Sequence, residues 1–402
     1  MPKNKPPVPR KSGPSPEDKE DALTQKLCDL AIDLAEQEDS ETMSAALQQT
    51  ENDFRKLVKK CLYQKKDEVL YAAIERAKYA DSGAHLLLKA CVEETAETIV
   101  VEHERDGGPA QEVNAFVIPI FVRTAGGLDS GQSFQDQPAF EALTKSFQEA
   151  QLESPDAKVV LISHAYHLDE IDSITYSHLN EMVRDALASM TDKKSAPTPA
   201  IDRSLGGWPE NVFAPQDQAV ELRFLLGFAL KTTDDAFYQV PQDEDAADAY
   251  FALREERFQR WTEQVAPLVQ RCLVTDGREV DVNFLYQDLF HGGKERGIAE
   301  YFMLQMMSEL NHGMQQHGVA PEQANAMIGP ADVRDEMLLR VNLYADGALI
   351  ATSEKPFVFG RDLQVEIDDT YDALTTIGVT ALAVAHKFDA DGQPVDARPY
   401  QG

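Results

Sequence analysis

The chain has 402 residues, 43% of them hydrophobic and 8% aromatic, and carries a net charge of −31. That length and apolar content exclude a disordered chain and predict a large core divided over two or three domains. An acidic body repels phosphate backbones, which argues against direct nucleic-acid binding by the folded part; it leaves simple solubility, a partner with a basic face, or mimicry of nucleic acid.

Residues 1–16 hold six prolines with Lys3, Lys5, Arg10 and Lys11 and no acid. They read as a disordered basic arm. Four of the 38 bases lie there, so the rest of the chain sets 34 bases against 69 acids, a charge of −35. No apolar h-region follows, and no apolar run approaches the roughly 18 residues that span a bilayer, so neither export nor a membrane is expected. Cys28, Cys61, Cys91 and Cys272 are scattered and form no C-x-x-C pair. That excludes a zinc knuckle and a thioredoxin-type pair, and points to a reducing cytoplasm.

Residues 17–98 predict a helical subdomain. Ser15-Pro16-Glu17 starts the first helix, followed by Leu23, Leu27, Leu30 and Leu34 at helical spacing. Further helices are predicted at 43–60, 69–79 and 84–98. The stretch from Arg55 to Lys66 is the one basic patch of the body and reads as a solvated helix face.

From 99 to 190 comes a first strand-helix-strand-helix unit. Strands at 99–104 and 113–122 flank the turn Asp106-Gly107-Gly108-Pro109, which reads as a hairpin. A helix over 138–152, a strand over 158–163 and a helix over 169–190 complete it. Residues 191–218 read as a linker. A second unit from 219 to 402 repeats the order, with a strand at 220–230, an acidic loop at 243–248, a long helix to Cys272, a strand at 279–286 and a helix beyond Gly293. A hairpin turning at Asp346-Gly347, a short helix at 368–377 and a strand at 380–388 close the chain. The recurrence suggests an internal repeat, and the fold class is α/β, or α+β.

Three segments invite chemistry. Ser163-His164-Ala165-Tyr166-His167-Leu168-Asp169-Glu170 sits at a predicted strand end, where α/β folds hold ligands. His164, His167 and Asp169 could bind a divalent metal that activates water, although the spacing differs from H-E-x-x-H. Gly126-Gly127-Leu128-Asp129-Ser130-Gly131-Gln132-Ser133 has P-loop glycine spacing, but Gln132 stands where the phosphate-neutralising lysine belongs. In His291-Gly292-Gly293-Lys294, backbone N–H groups of Gly292 and Gly293 with Lys294 could seat an anion; a tight turn that starts a helix is the simpler account. No Ser-His-Asp or Cys-His set and no G-x-S-x-G elbow can be assembled, and no cofactor is predicted. Met303, Met306, Met307 and Met314 read as core filler.

Leu70-Tyr71-Ala72-Ala73-Ile74-Glu75, the run Val92 to Thr98 leading to Glu102-His103, Ala115-Phe116-Val117-Ile118-Pro119-Ile120 and Ile377-Gly378-Val379-Thr380 resemble an uncharacterised family of bacterial proteins of about 400 residues. It is known only as a domain of unknown function and occurs mainly in β-proteobacteria. The resemblance covers about a quarter of the chain. It implies a cytoplasmic bacterial protein and transfers no active site; the cysteine-bearing segment with which members tend to end is not matched before Gly402.

The expectation is a soluble, non-catalytic binding or regulatory protein that acts through a protein partner. The rivals are a metal-dependent hydrolase centred on His164, His167 and Asp169, and an acidic mimic of nucleic acid. Oligomeric state is not legible.

Overall fold

A computed structural model describes residues 15–36, 45–101, 109–123, 136–191, 220–273, 280–333, 336–357 and 362–400. Residues 1–14 of the basic arm, the Asp106-Gly107-Gly108 turn, the 126–133 glycine loop and most of the 191–218 linker lie outside the described residues, while Ser15 and Pro16, read as the end of that arm, belong to the start of the first helix. The chain is an α/β protein in two compact units: the described residues up to Ile99 together with Ile174–Arg184, and the remainder.

The first unit is helical, with α1 (Pro16–Ala35), α2 (Ala45–Tyr63), α3 (Asp67–Ala80) and α4 (Ser82–Glu97). Ser15 begins α1 by a reciprocal cap: the Asp18 N–H donates to its hydroxyl at 3.1 Å, and its own N–H donates to the Asp18 carboxylate at 2.9 Å. Leu27, Ala31, Phe54, Val58, Leu70, Ala73, Leu88 and Val92 bury the facing stripes, and Cys28, Cys61 and Cys91 are buried free thiols among them. The basic stretch is largely matched from within: Arg55 meets Glu51 and Glu94 at 3.1 Å each, Lys65 meets Glu181 at 2.7 Å and Lys66 meets Glu20 at 2.8 Å.

The second unit holds two sheets. In the first, β1 (Thr98–Val101) borders β2 (Gln111–Arg123), and β4 (Glu221–Thr232) lies between β2 and β3 (Lys158–His167), antiparallel to both. β5 (Asp281–Phe284) and β6 (Asp288–Leu289) pair with β2. Helix α5 (Gln137–Glu149) joins β2 to β3, and α8 (Glu244–Leu273) joins β4 to β5. Each crossover skips one strand, so the order β5-β2-β4-β3 is that of the split β-α-β arrangement. The two strand-helix-strand-helix passes that the sequence predicts, at 99–190 and from 219 onward, therefore interleave in one sheet.

Both faces of that sheet are covered, which is why successive residues of β2 and β4 are buried and their apolar runs 115–122 and 224–230 do not alternate with polar residues. On one face, Phe116, Ile118 and Ile120 of β2 pack with Phe140, Leu143 and Phe147 of α5 and with Trp261 and Val265 of α8. The Trp261 ring lies edge-on to Phe147, with centroids 5.6 Å apart, and its N–H donates to the Ser146 hydroxyl at 3.2 Å. Pro119 sits where partnering on β2 changes from β6 to β5, so its missing N–H interrupts no ladder there.

Three sequence expectations are corrected. The strand predicted to stop at Ser163 continues to His167, and the helix predicted over 169–190 is broken into α6 (Leu168–Asp172) and α7 (Tyr176–Thr191). The acidic stretch 243–248 is not a loop: Asp243 accepts the Ala246 N–H at 3.1 Å, and Glu244 opens α8, where carboxylates suit the helix dipole.

In the second sheet, β7 (Asn325–Val333) is antiparallel to β8 (Glu336–Ala345) and parallel to β10 (Ala381–Val384) and β11 (Lys387–Phe388). β8 forms the predicted hairpin with β9 (Ala348–Pro356) through Asp346 and Gly347, both at positive φ, as a type I′ turn requires. Two-residue strands β12 (Pro394–Val395) and β13 (Arg398–Pro399) finish its edges.

Helix α9 (Phe290–His317) packs on both sheets. A Cβ at Gly293 would stand 2.6 Å from Val117 Cγ2 of β2, and one at Gly297 would stand 2.9 Å from Phe224 of β4 and 3.0 Å from Pro119. Twenty residues on, a Cβ at Gly313 would meet Ala351 Cβ of β9 at 2.5 Å. Beyond it Met306, Leu310 and Met314 join Ile328, Leu339 and Val341 of the second sheet with Ile367 and Leu374 of α10 (Leu363–Thr376). Gly297→Ala is expected to lower stability by about 1–3 kcal/mol through overpacking. Urea unfolding checks this; an unchanged midpoint would mean that α9 tolerates a wider separation from the sheet.

Candidate functional site

His164 lies in a bulge. The β3–β4 register advances four residues from Leu161 to Ala165 while the partner advances two, from Gly227 to Leu225. The irregularity aims His164 toward α6, where its Nε2 is 3.2 Å from Oε2 of the buried Glu170. The same carboxylate oxygen accepts the His167 N–H at 2.9 Å, and His167 Nδ1 accepts the Asp169 N–H at 3.3 Å. The two histidines and Glu170 thus build the start of α6.

Asp169 points to solvent, with its side chain 85% exposed and its carboxylate 3.7 Å from His167 Nδ1. Among the described residues, no three His, Cys, Asp or Glu side chains stand together as metal ligands. His164, His167 and Asp169 are neighbours in a capping network, not a chelating set. Beneath them Arg223 and Glu221 form a buried ion pair, and the Arg223 guanidinium donates to the Ala165 carbonyl at 3.2 Å. Burial lowers Arg223 to about 10 against the opposing pull of Glu221, and burial raises Glu221.

Gly292, Gly293 and Lys294 belong to the first turn of α9. That helix start carries its own carboxylate: a Cβ on Gly292 would lie 3.4 Å from Asp288, which also accepts the Leu289 N–H at 2.8 Å. Lys294 meets Asp172 at 3.1 Å. Lys294 of the one segment is thus paired with the last residue of α6, the helix that the other segment starts.

A further concavity of the second unit lies elsewhere. A cleft of about 820 Å³ runs along one face of α9. Its floor is Ala299, Met303, Leu304 and Met307, with Ala373 and Ile377 of α10 opposite and Val220 and Leu285 at the first-sheet end. Arg123 and Arg296 stand at that end, Glu300 lies one turn further along α9, and Asp369 and Asp372 project from α10. Two of its cations bring their own counterions: Arg296 to Asp288 at 3.5 Å, and Lys355 to the buried Glu366 at 2.5 Å.

Sequence inspection missed this cleft because the residues forming it come from six separate stretches of chain. One signal was present. The methionines of α9 divide between two faces, with Met306 and Met314 fully buried and Met303 half-buried on the cleft floor. A helix apolar on more than one side has more to cover than a single core stripe.

The fold and cleft define an α/β protein built on a split β-α-β sheet, with a cleft beside a two-sheet helix. The chain belongs to a family described as a protein of unknown function (DUF2863), whose model matches residues 15–292. That span takes in the helical unit and the first sheet and stops in the first turn of α9. No curated protein and no solved structure matches the chain. No helix among the described residues is long and apolar enough to cross a membrane.

The capping role of His167 carries a pH dependence. Burial first, then the Arg223 guanidinium, hold its imidazole below the ordinary value of 6.5, with Asp169 and Glu170 opposing. The unfolded chain therefore takes up this proton at a higher pH than the folded one. Stability from His167 is complete above that ordinary value and falls as acid carries the pH through the lower, folded value. Between about pH 7 and about pH 5.5 the wild-type melting temperature should fall more steeply than that of His167→Asn, whose amide caps without titrating. Parallel slopes would remove His167 from the acid response.

Proposed function

We propose that this is a non-catalytic binding protein of the cytoplasm that acts through a protein partner, received in the cleft along α9. The observation that carries this reading is the cleft itself: an apolar floor with a charged rim, running along α9 from Arg296 to Asn311. The catalytic candidates do not line it. His164, His167 and Glu170 are engaged in starting α6, and Lys294 is neutralised by Asp172. A helix that presents methionines to a groove suits adaptable protein recognition. The buried thiols Cys28, Cys61 and Cys91, each held above the ordinary thiol range chiefly by burial, suit a reducing compartment.

Replacing Leu304 by a photo-reactive phenylalanine analogue in the full-length protein tests this from the cleft floor. The protein crosslinked in cells is purified and titrated calorimetrically onto wild type and onto Ala299→Trp, which fills the groove. Ala299→Trp is expected to weaken binding at least about tenfold, or about 1.4 kcal/mol, with an unchanged melting temperature. Equal affinity for the two, or no crosslinked protein, overturns the reading.

A further inference from the structure

Resting on that reading, we infer that the occupant of the cleft is an extended, basic segment of the partner, with lysines or arginines alternating with aliphatic residues.

Shape argues for an extended segment. The lining positions of α9 run from Arg296 to Asn311. At about 1.5 Å per residue they span roughly 22 Å, the reach of six or seven residues of extended chain. The floor along that length is aliphatic and thioether, which suits alternate side chains of a strand-like segment laid down on it.

Charge argues for a basic one. The side chains lining the cleft carry three cations, Arg123, Arg296 and Lys355, and three carboxylates, Glu300, Asp369 and Asp372. Asp369 has a partner of its own; counted without it, the three cations face Glu300 and Asp372 together with Asp288 and Glu366, the counterions of Arg296 and Lys355 from outside this lining, so the local balance is one negative charge. Glu300 on α9 and Asp372 on α10 are exposed and face the same groove from opposite walls. A cationic side chain above the methionine floor could meet a carboxylate on either side. The chain as a whole, at −31, attracts such a segment from a distance and repels an acidic one.

That same overall charge sets the control that the test requires. The probe is a fluorescein-labelled peptide of six residues, Lys-Leu-Lys-Val-Lys-Leu, followed by anisotropy at near-physiological salt against the full-length protein. Its counterpart has glutamate at each lysine position. The charge-reversed double variant Glu300→Lys with Asp372→Lys is compared with Asp156→Lys with Asp248→Lys, which reverses two exposed acids outside the cleft. The basic probe is expected to bind and to lose at least about tenfold in affinity in the first variant and in Ala299→Trp, and less than about twofold in the second. The acidic probe should not bind.

Equal loss in both charge-reversed variants would mean attraction to the body in general, and overturns the inference. So does tighter binding of the acidic probe, or no binding of the basic one. If the basic probe fails while the partner crosslinked through Leu304 still depends on an unfilled groove, only the basic-segment inference falls. If neither depends on the groove, the proposed function falls with it.

Discussion

The contact on which the second unit depends is the close approach of α9 to two sheets at once. Gly293 and Gly297 bring its N-terminal half against β2 and β4, and Gly313 brings its C-terminal half against β9. A side chain at any of these positions would overlap a neighbour already in place. The helix thus acts as a common wall: one end closes the second face of the first sheet, and the other closes the core of the second sheet. The cleft follows from this geometry. Between its two contacts the helix leaves an apolar stretch at Ala299, Met303 and Met307 that neither sheet covers completely.

Charge is handled differently in different places. At the surface of the helical unit, cations meet carboxylates at about ordinary hydrogen-bond distances, and such exposed pairs contribute little each. Inside the second unit, Arg223 with Glu221 and Lys355 with Glu366 are buried pairs. There the desolvation of each charge is offset only by its partner, so loss of either member costs far more than a surface pair contributes. Among the described residues, the two buried cations, Arg223 and Lys355, thus each sit against a buried carboxylate.

Much of the fold was legible in the sequence. Ser15-Pro16-Glu17 marked a helix start, Asp346-Gly347 marked a hairpin, and the uninterrupted apolar runs of β2 and β4 marked buried strands. Each rests on local chemistry, which one stretch of chain carries by itself. The places that misled were those where tertiary context decides. The bulge carrying His164 extends β3 past Ser163 because β4 offers partners on both sides of it. The acids at 243–248 look like a loop, yet they cap and open a helix of 30 residues. The histidine segment looked chemical because imidazoles and carboxylates crowd together in it, but the same donors and acceptors serve to start α6. The cleft was illegible because no single segment contains it. The interleaving of the two passes was equally hidden, since strand order is a matter of which edges meet.

That interleaving has a consequence for synthesis on the ribosome. β2 and β3 have no common neighbour until β4 exists, and β4 ends at Thr232. A nascent chain shorter than this would carry two strongly apolar strands with open edges and no way to complete their ladder. The helical unit, whose α1 to α4 are contiguous in sequence, can condense while that wait continues. During elongation the exposed strands are the vulnerable species, and a chaperone that shields extended apolar segments would act in that interval.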